Sequence, residues 1–121
     1  MITIGDAIFA IDTTAVYEHE GTIESIIWRE NTTPIPAEQI YNKLTELESL
    51  EPMRLLRIER DSKLQQSDWR TNNDYPYDDA DAWATYRTAL RNLPAEITAG
   101  NVTAPTIENN SLIFHDWPEQ P

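Results

Sequence analysis

Eight prolines against three glycines divide these 121 residues into short lengths, and no cysteine is present to staple them together. A proline removes a backbone donor and biases its predecessor towards extended geometry, so each one limits which element can pass through it. Thr33-Pro34-Ile35-Pro36 stops any strand before it, and a helix is expected to start directly afterwards. Pro52 is expected to break or kink that helix and Pro94 to end a later one, while Pro105, Pro118 and Pro121 leave the last part of the chain extended.

Between these stops the apolar spacing sets the element types. Over 7–28 the β-branched and aromatic residues are dense, with Glu20-Gly21 placed as a hairpin connection would be, which reads as two or three short strands. Ile40, Leu44 and Leu47 form one stripe on an acidic helix over 37–50. A second helical pattern, 53–66, carries Met53, Leu56 and Leu64 on one face, with Arg57 and Arg60 on the same face and Glu59 and Lys63 paired away from it. Residues 71–79 have the composition of a loop, after which Asp78 or Asp79 is suited to cap a third helix over 80–93, with Asp81 in its first turn. Its stripe is Trp83, Tyr86, Leu90 and Leu93, bordered by Arg87. The reading is an α+β chain: a small α+β region over 1–51, a helical hairpin over 52–94, and an extended tail over 95–121 that docks through Leu112-Ile113-Phe114 and Trp117.

Charge narrows the partners. The net charge is −12, and it is uneven: residues 1–51 hold 2 basic and 10 acidic groups, 52–93 hold 7 of each, and 94–121 hold 4 acids alone. Such a chain is repelled by a phosphate backbone, so nucleic acid is not an expected partner and an electropositive or uncharged one is. No apolar run is long enough to span a membrane, no basic segment precedes an apolar one as in a signal peptide, and the lack of cysteine suits a reducing cytosol.

Nothing in the chain reads as an enzyme. His19 and His115 are the only histidines and share no ligand spacing with a carboxylate, so no metal or cofactor is expected. Asp74, Asp78, Asp79 and Asp81 lack the glycine and terminal glutamate of a calcium loop, and capping accounts for them more simply. Glu18 and Glu20 resemble solvated strand residues as much as an acid and base pair. Ser25, Ser62 and Ser67 have no nucleophile-elbow frame, and no phosphate-binding loop occurs.

The middle of the chain is the distinctive part. It reads Leu56-Arg57-x-x-Arg60-Asp61, then Ser67-Asp68-Trp69, then Trp83-x-x-Tyr86-Arg87-x-x-Leu90-Arg91-x-Leu93-Pro94, with Trp117-Pro118 near the end. In physical terms Trp69 can close the loop end against Trp83, Tyr86 and Leu90, and arginine stems can cover indole faces while their heads reach Asp61 or Asp68. Tryptophan, tyrosine and arginine are also the types most enriched in binding hot spots.

These motifs resemble those of the bacteriophage tail assembly chaperone family, over residues 53–94 and the last five. The resemblance implies a protein that binds a tail-fibre or other tail protein and assists its folding, trimerisation or attachment in the host cytoplasm, with three copies on a trimeric fibre as one arrangement. The motif residues it marks are Arg57, Arg60, Asp61, Asp68, Trp69, Trp83, Tyr86, Arg87, Leu90 and Trp117. A small structural protein retained in the virion at a fibre tip or baseplate would use the same surface.

Overall fold

Thr3 opens the first helix. Its hydroxyl accepts the Asp6 amide at 3.1 Å while the Asp6 carboxylate accepts the Thr3 amide at 2.8 Å, a reciprocal cap that fixes α1 at Ile4–Ile11. The computed structural model describes residues 2–121. After α1 come β1 (Val16–Glu18), a 3₁₀ turn (Ile23–Ser25), β2 (Ile27–Arg29) and α2 (Ala37–Ser67). A second 3₁₀ turn (Asp68–Thr71), α3 (Ala80–Thr98), β3 (Thr106–Glu108) and β4 (Ser111–Ile113) complete the order. Helices with small antiparallel strand pairs make this an α+β chain, and it divides into two compact units, Met1–Glu51 and Pro52–Pro121.

In the first unit the stretch 7–28, read as two or three short strands, opens instead on the helix α1, which takes in Ala7 to Ile11. The cap decides the start, and the apolar residues then recur at helical spacing: Ala7 and Ile8 are fully buried, with Ile4 and Ile11 packed beside them. The expected hairpin is present in reduced form. β1 and β2 pair antiparallel with Tyr17 opposite Trp28, but the connection takes up residues 19–26, including the 3₁₀ turn, so the second strand starts at Ile27 and not at Ile23. Gly21 sits in that connection at φ 93°, where an L side chain is strained. Ile23 and Ile40 complete the buried core, and Leu44 and Leu47 extend it along the predicted stripe.

The prolines do not end helices as expected. α2 begins directly after Pro36, whose carbonyl accepts the amides of Gln39 and Ile40, but it then continues through Pro52. The ring removes the amide that would bond the Glu48 carbonyl, a local loss. Strong helix formers on both sides and burial of Leu56 outweigh it.

α3 likewise passes through Pro94 and stops at Gly100. That residue has φ 81°, its amide bonds the Ile97 carbonyl at 3.0 Å, and the Asn101 amide bonds Glu96 at 3.0 Å. This pair of bonds is a Schellman termination, which needs a left-handed residue where only glycine is unstrained. The 95–121 tail is also more ordered than an extended strand: β3 and β4 form a hairpin with Ile107 opposite Leu112. Asn109 and Asn110 turn it at φ 53° and 62°, the left-handed pair that a two-residue hairpin turn requires.

Within the second unit the predicted stripe of α3 is the core. Trp83, Tyr86, Leu90 and Leu93 are all buried, and Leu64 of α2 and Trp117 of the tail pack on the first three.

Candidate partner-binding surface

At Ser67 the α-helical geometry of α2 gives way to the turn Asp68–Thr71, and acceptors at this helix end take side-chain donors. Arg87 of α3 supplies the donors. Its Nη1 donates to the Leu64 carbonyl at 2.6 Å and the Ser67 hydroxyl at 2.7 Å, and its Nη2 to Asp68 at 2.6 Å. A cation at a helix C-terminus also opposes the macrodipole. The side chain is buried and its Nε has no hydrogen-bond partner among the described residues, while Asp68 remains largely in solvent.

The adjacent residue pair, Trp69 and Arg70, leads to the outside. The Arg70 guanidinium lies over the Trp83 ring at 3.9 Å and over the Trp69 ring at 4.3 Å, linking a buried indole to one that is 47% exposed. Trp69 therefore reaches the α3 stripe through Arg70, whereas the sequence reading placed it directly on Trp83, Tyr86 and Leu90. From Nη1, Arg70 also donates to the Tyr75 hydroxyl at 2.8 Å. Tyr75 in turn donates to Asp79, which accepts the Trp83 indole N–H at 3.1 Å as well.

Asp79 occupies the N-cap position of α3 without capping it through its side chain. The hydrogen bond from Tyr75 holds its carboxyl below the usual carboxylate range, with Trp83 and the charge of Arg70 acting in the same direction. Burial pushes the Tyr75 phenol up, and its bond to Asp79 adds to that. Trp69, Tyr75 and Tyr77 stand edge to face in series, each pair 5.3 Å between ring centres, and Tyr77 is 61% exposed. The result is an aromatic surface fixed from below by a hydrogen-bonded chain.

Of the motif residues, Asp68, Trp69, Trp83 and Arg87 are brought together at the end of α2, and Tyr86, Leu90 and Trp117 join Trp83 in the core. Arg57, Arg60 and Asp61 are not part of that assembly. Arg57 is exposed, and Arg60 pairs with its neighbour Asp61 at 2.9 Å, so neither covers an indole as the stripe position had implied. The cations that do cover rings are Arg70 and Lys63, the latter 4.9 Å from the Trp117 ring centre, which Phe114 meets edge on. Tyr75 and Asp79 lie in segments that read as loop and cap, and Arg70 just before them, outside any element read from the sequence. Their signal is the run Asp68-Trp69-Arg70, where a cation adjoins an aromatic that no apolar stripe accounts for.

A family model described as phage tail assembly chaperone protein matches residues 53–121. The chain belongs to that family. No curated protein and no solved structure matches it. The tail assembly chaperone match begins one residue inside the second compact unit, and so takes in Arg87, the aromatic surface and the Asn-Asn hairpin together. Among the described residues no group of three His, Asp or Glu side chains could hold a metal ion, and no helix is long and apolar enough to cross a membrane.

Proposed function

We propose that this tail assembly chaperone works by binding alone, holding a tail-fibre or other tail protein on the surface formed by Trp69, Tyr75 and Tyr77 while that protein folds, trimerises or attaches. The observation that carries the reading is the half-exposed Trp69 held over Arg70, which Trp83 and Tyr75 fix in turn. Large exposed aromatics on a rigid support lose little conformational entropy on binding, which is why such residues act as hot spots. Covering apolar surface on an unfinished fibre end requires no bond-making step.

Co-expression with the tail proteins of the same phage tests this. The wild-type chain should co-purify with one of them and raise its yield of soluble, protease-resistant trimer. Trp69→Ala should lose that partner while its melting temperature moves little. Equal trimer yield with and without the chaperone, or undiminished binding by Trp69→Ala, would remove the reading. Mass spectrometry of purified particles distinguishes a transient helper, absent or far below stoichiometric amounts, from a subunit retained in the tail.

A further inference from the structure

Beside the aromatic surface a cavity of about 150 Å³ is enclosed by the end of α2, the first turns of α3 and Gln120. An apolar cavity of this size stays dry and takes a hydrocarbon ring. This one is lined mainly by polar surface, from Lys63, Gln66, Arg70 and Gln120 beside Ser67, Trp83 and Tyr86. No carboxylate is among its lining residues. We propose that the pocket binds the carboxylate of one Asp or Glu side chain on the tail protein, an inference that rests on the partner-binding reading above.

Its donors are unsaturated. Arg70 uses Nη1 on Tyr75, and its remaining N–H groups have no partner among the described residues. Lys63 stands 3.9 Å from Glu59, beyond hydrogen-bond length, so its ammonium hydrogens remain available. The Tyr86 hydroxyl has no partner among the described residues, and burial raises its pKa, which keeps it a donor. Ser67 behaves differently: its single hydroxyl hydrogen is shared between the Lys63 and Leu64 carbonyls and its oxygen accepts Arg87, placing a third, buried cation one hydrogen bond behind the wall.

Of the neighbouring carboxylates, Asp68 is engaged by Arg87 and Asp79 by Tyr75 and Trp83, while Glu59 is ion-paired with Lys63 at 3.9 Å and does not line the cavity. A planar guanidinium beside an ammonium matches a planar carboxylate. A phosphate dianion would meet more repulsion from a chain of net charge −12 than a monoanionic carboxylate does.

The test uses the full ¹⁵N-labelled chain and three probes: N-acetylglutamic acid amide, the isosteric N-acetylglutamine amide, and inorganic phosphate. The glutamic acid probe should shift the indole N–H signals of Trp83 and Trp117 and the Arg70 Nε–H signal saturably, with a Kd of about 1–10 mM for so small a ligand. Lys63→Met and Gln120→Ala should each weaken that response, Lys63→Met by about fivefold or more because a charge-assisted bond is lost. No saturable shift, an equal response to the glutamine probe, or a response to phosphate alone would overturn the proposal. Since no tail protein enters this experiment, its failure leaves the chaperone reading standing, and loss of the co-purifying partner leaves the pocket standing.

Discussion

Arg87 and Arg60 are both arginines that the sequence singled out, and the structure gives them opposite weights. Arg87 is buried and satisfies the end of a helix, whereas Arg60 pairs with a solvated neighbour. Arg87→Met keeps the stem but withdraws donors from the Leu64 carbonyl and Ser67, and should destabilise the chain by about 2–3 kcal/mol. Arg60→Met should cost less than about 0.5 kcal/mol, as exposed pairs do. Urea unfolding of the two variants checks the contrast, and equal midpoints would mean that the Arg87 bonds contribute little. Trp83→Ala and Trp69→Ala make a parallel pair: the buried ring should cost about 3–5 kcal/mol on truncation and the half-exposed one far less. Asp79 gives the pH sign. Its folded pKa is depressed, so its contribution is complete above the unfolded carboxylate value of about 4 and is lost as pH falls through the lower folded value. Tyr75 has a raised pKa, so its contribution is present below the ordinary tyrosine value and lost as pH rises through the folded one. Melting curves from pH 7 down to pH 2 should show a loss that Asp79→Asn reduces.

Among the elements, the helices of the second unit were the most legible, because a stripe of four large apolar residues over 80–93 specifies helical period whatever surrounds it. The prolines misled for a physical reason. A missing amide affects one bond in a ladder: at Pro52 a long run of helix formers, with Ile40 buried before it and Leu56 after it, carries α2 onward, whereas past Pro94 α3 adds only the four residues to Thr98. α1 was hidden by β-branched composition, although Thr3 and Asp6 already stood at capping-box spacing. The β3–β4 hairpin depended on both asparagines of Asn109-Asn110 adopting left-handed geometry, a choice open to asparagine but not dictated by it. Of the candidate site, Trp83, Tyr86, Leu90 and Arg87 were legible from helical spacing. Arg70 and Tyr75 were not, because a loop has no period to place them. A consequence can be measured at the true end of α3. Gly100→Ala introduces a Cβ that meets nothing within 4 Å, so its cost is backbone strain alone, about 1–2 kcal/mol. Pro94→Ala should instead stabilise, by up to about 3 kcal/mol, by restoring the amide and relieving the ring. Helical circular dichroism and melting temperature report both, and a Gly100→Ala variant as stable as the wild type would show that the Schellman turn does not set the end.

For the whole molecule the charge distribution has a consequence independent of the binding surface. Of the net charge of −12, residues 1–51 contribute −8, while 52–93 balance 7 basic against 7 acidic groups. The pairs Arg29–Glu18, Lys43–Glu46 and Arg60–Asp61 each have a carboxylate more than half exposed, so each contributes little. Unscreened repulsion among the remaining acids opposes the compact state, and at about 0.15 M salt a Debye length of about 8 Å removes most of it. Raising NaCl from about 10 mM to about 150 mM should therefore raise the melting temperature, the opposite of what a fold held by surface ion pairs would show. Association should move the other way: were the partner electropositive, the same field would draw it to this chain, so its association rate constant should fall over the same salt range while the chaperone itself becomes more stable. Stopped-flow tryptophan fluorescence with the co-purified partner, alongside melts of the chain alone, measures both signs, and a melting temperature that falls with added salt would place the attractive pairs above the repulsion.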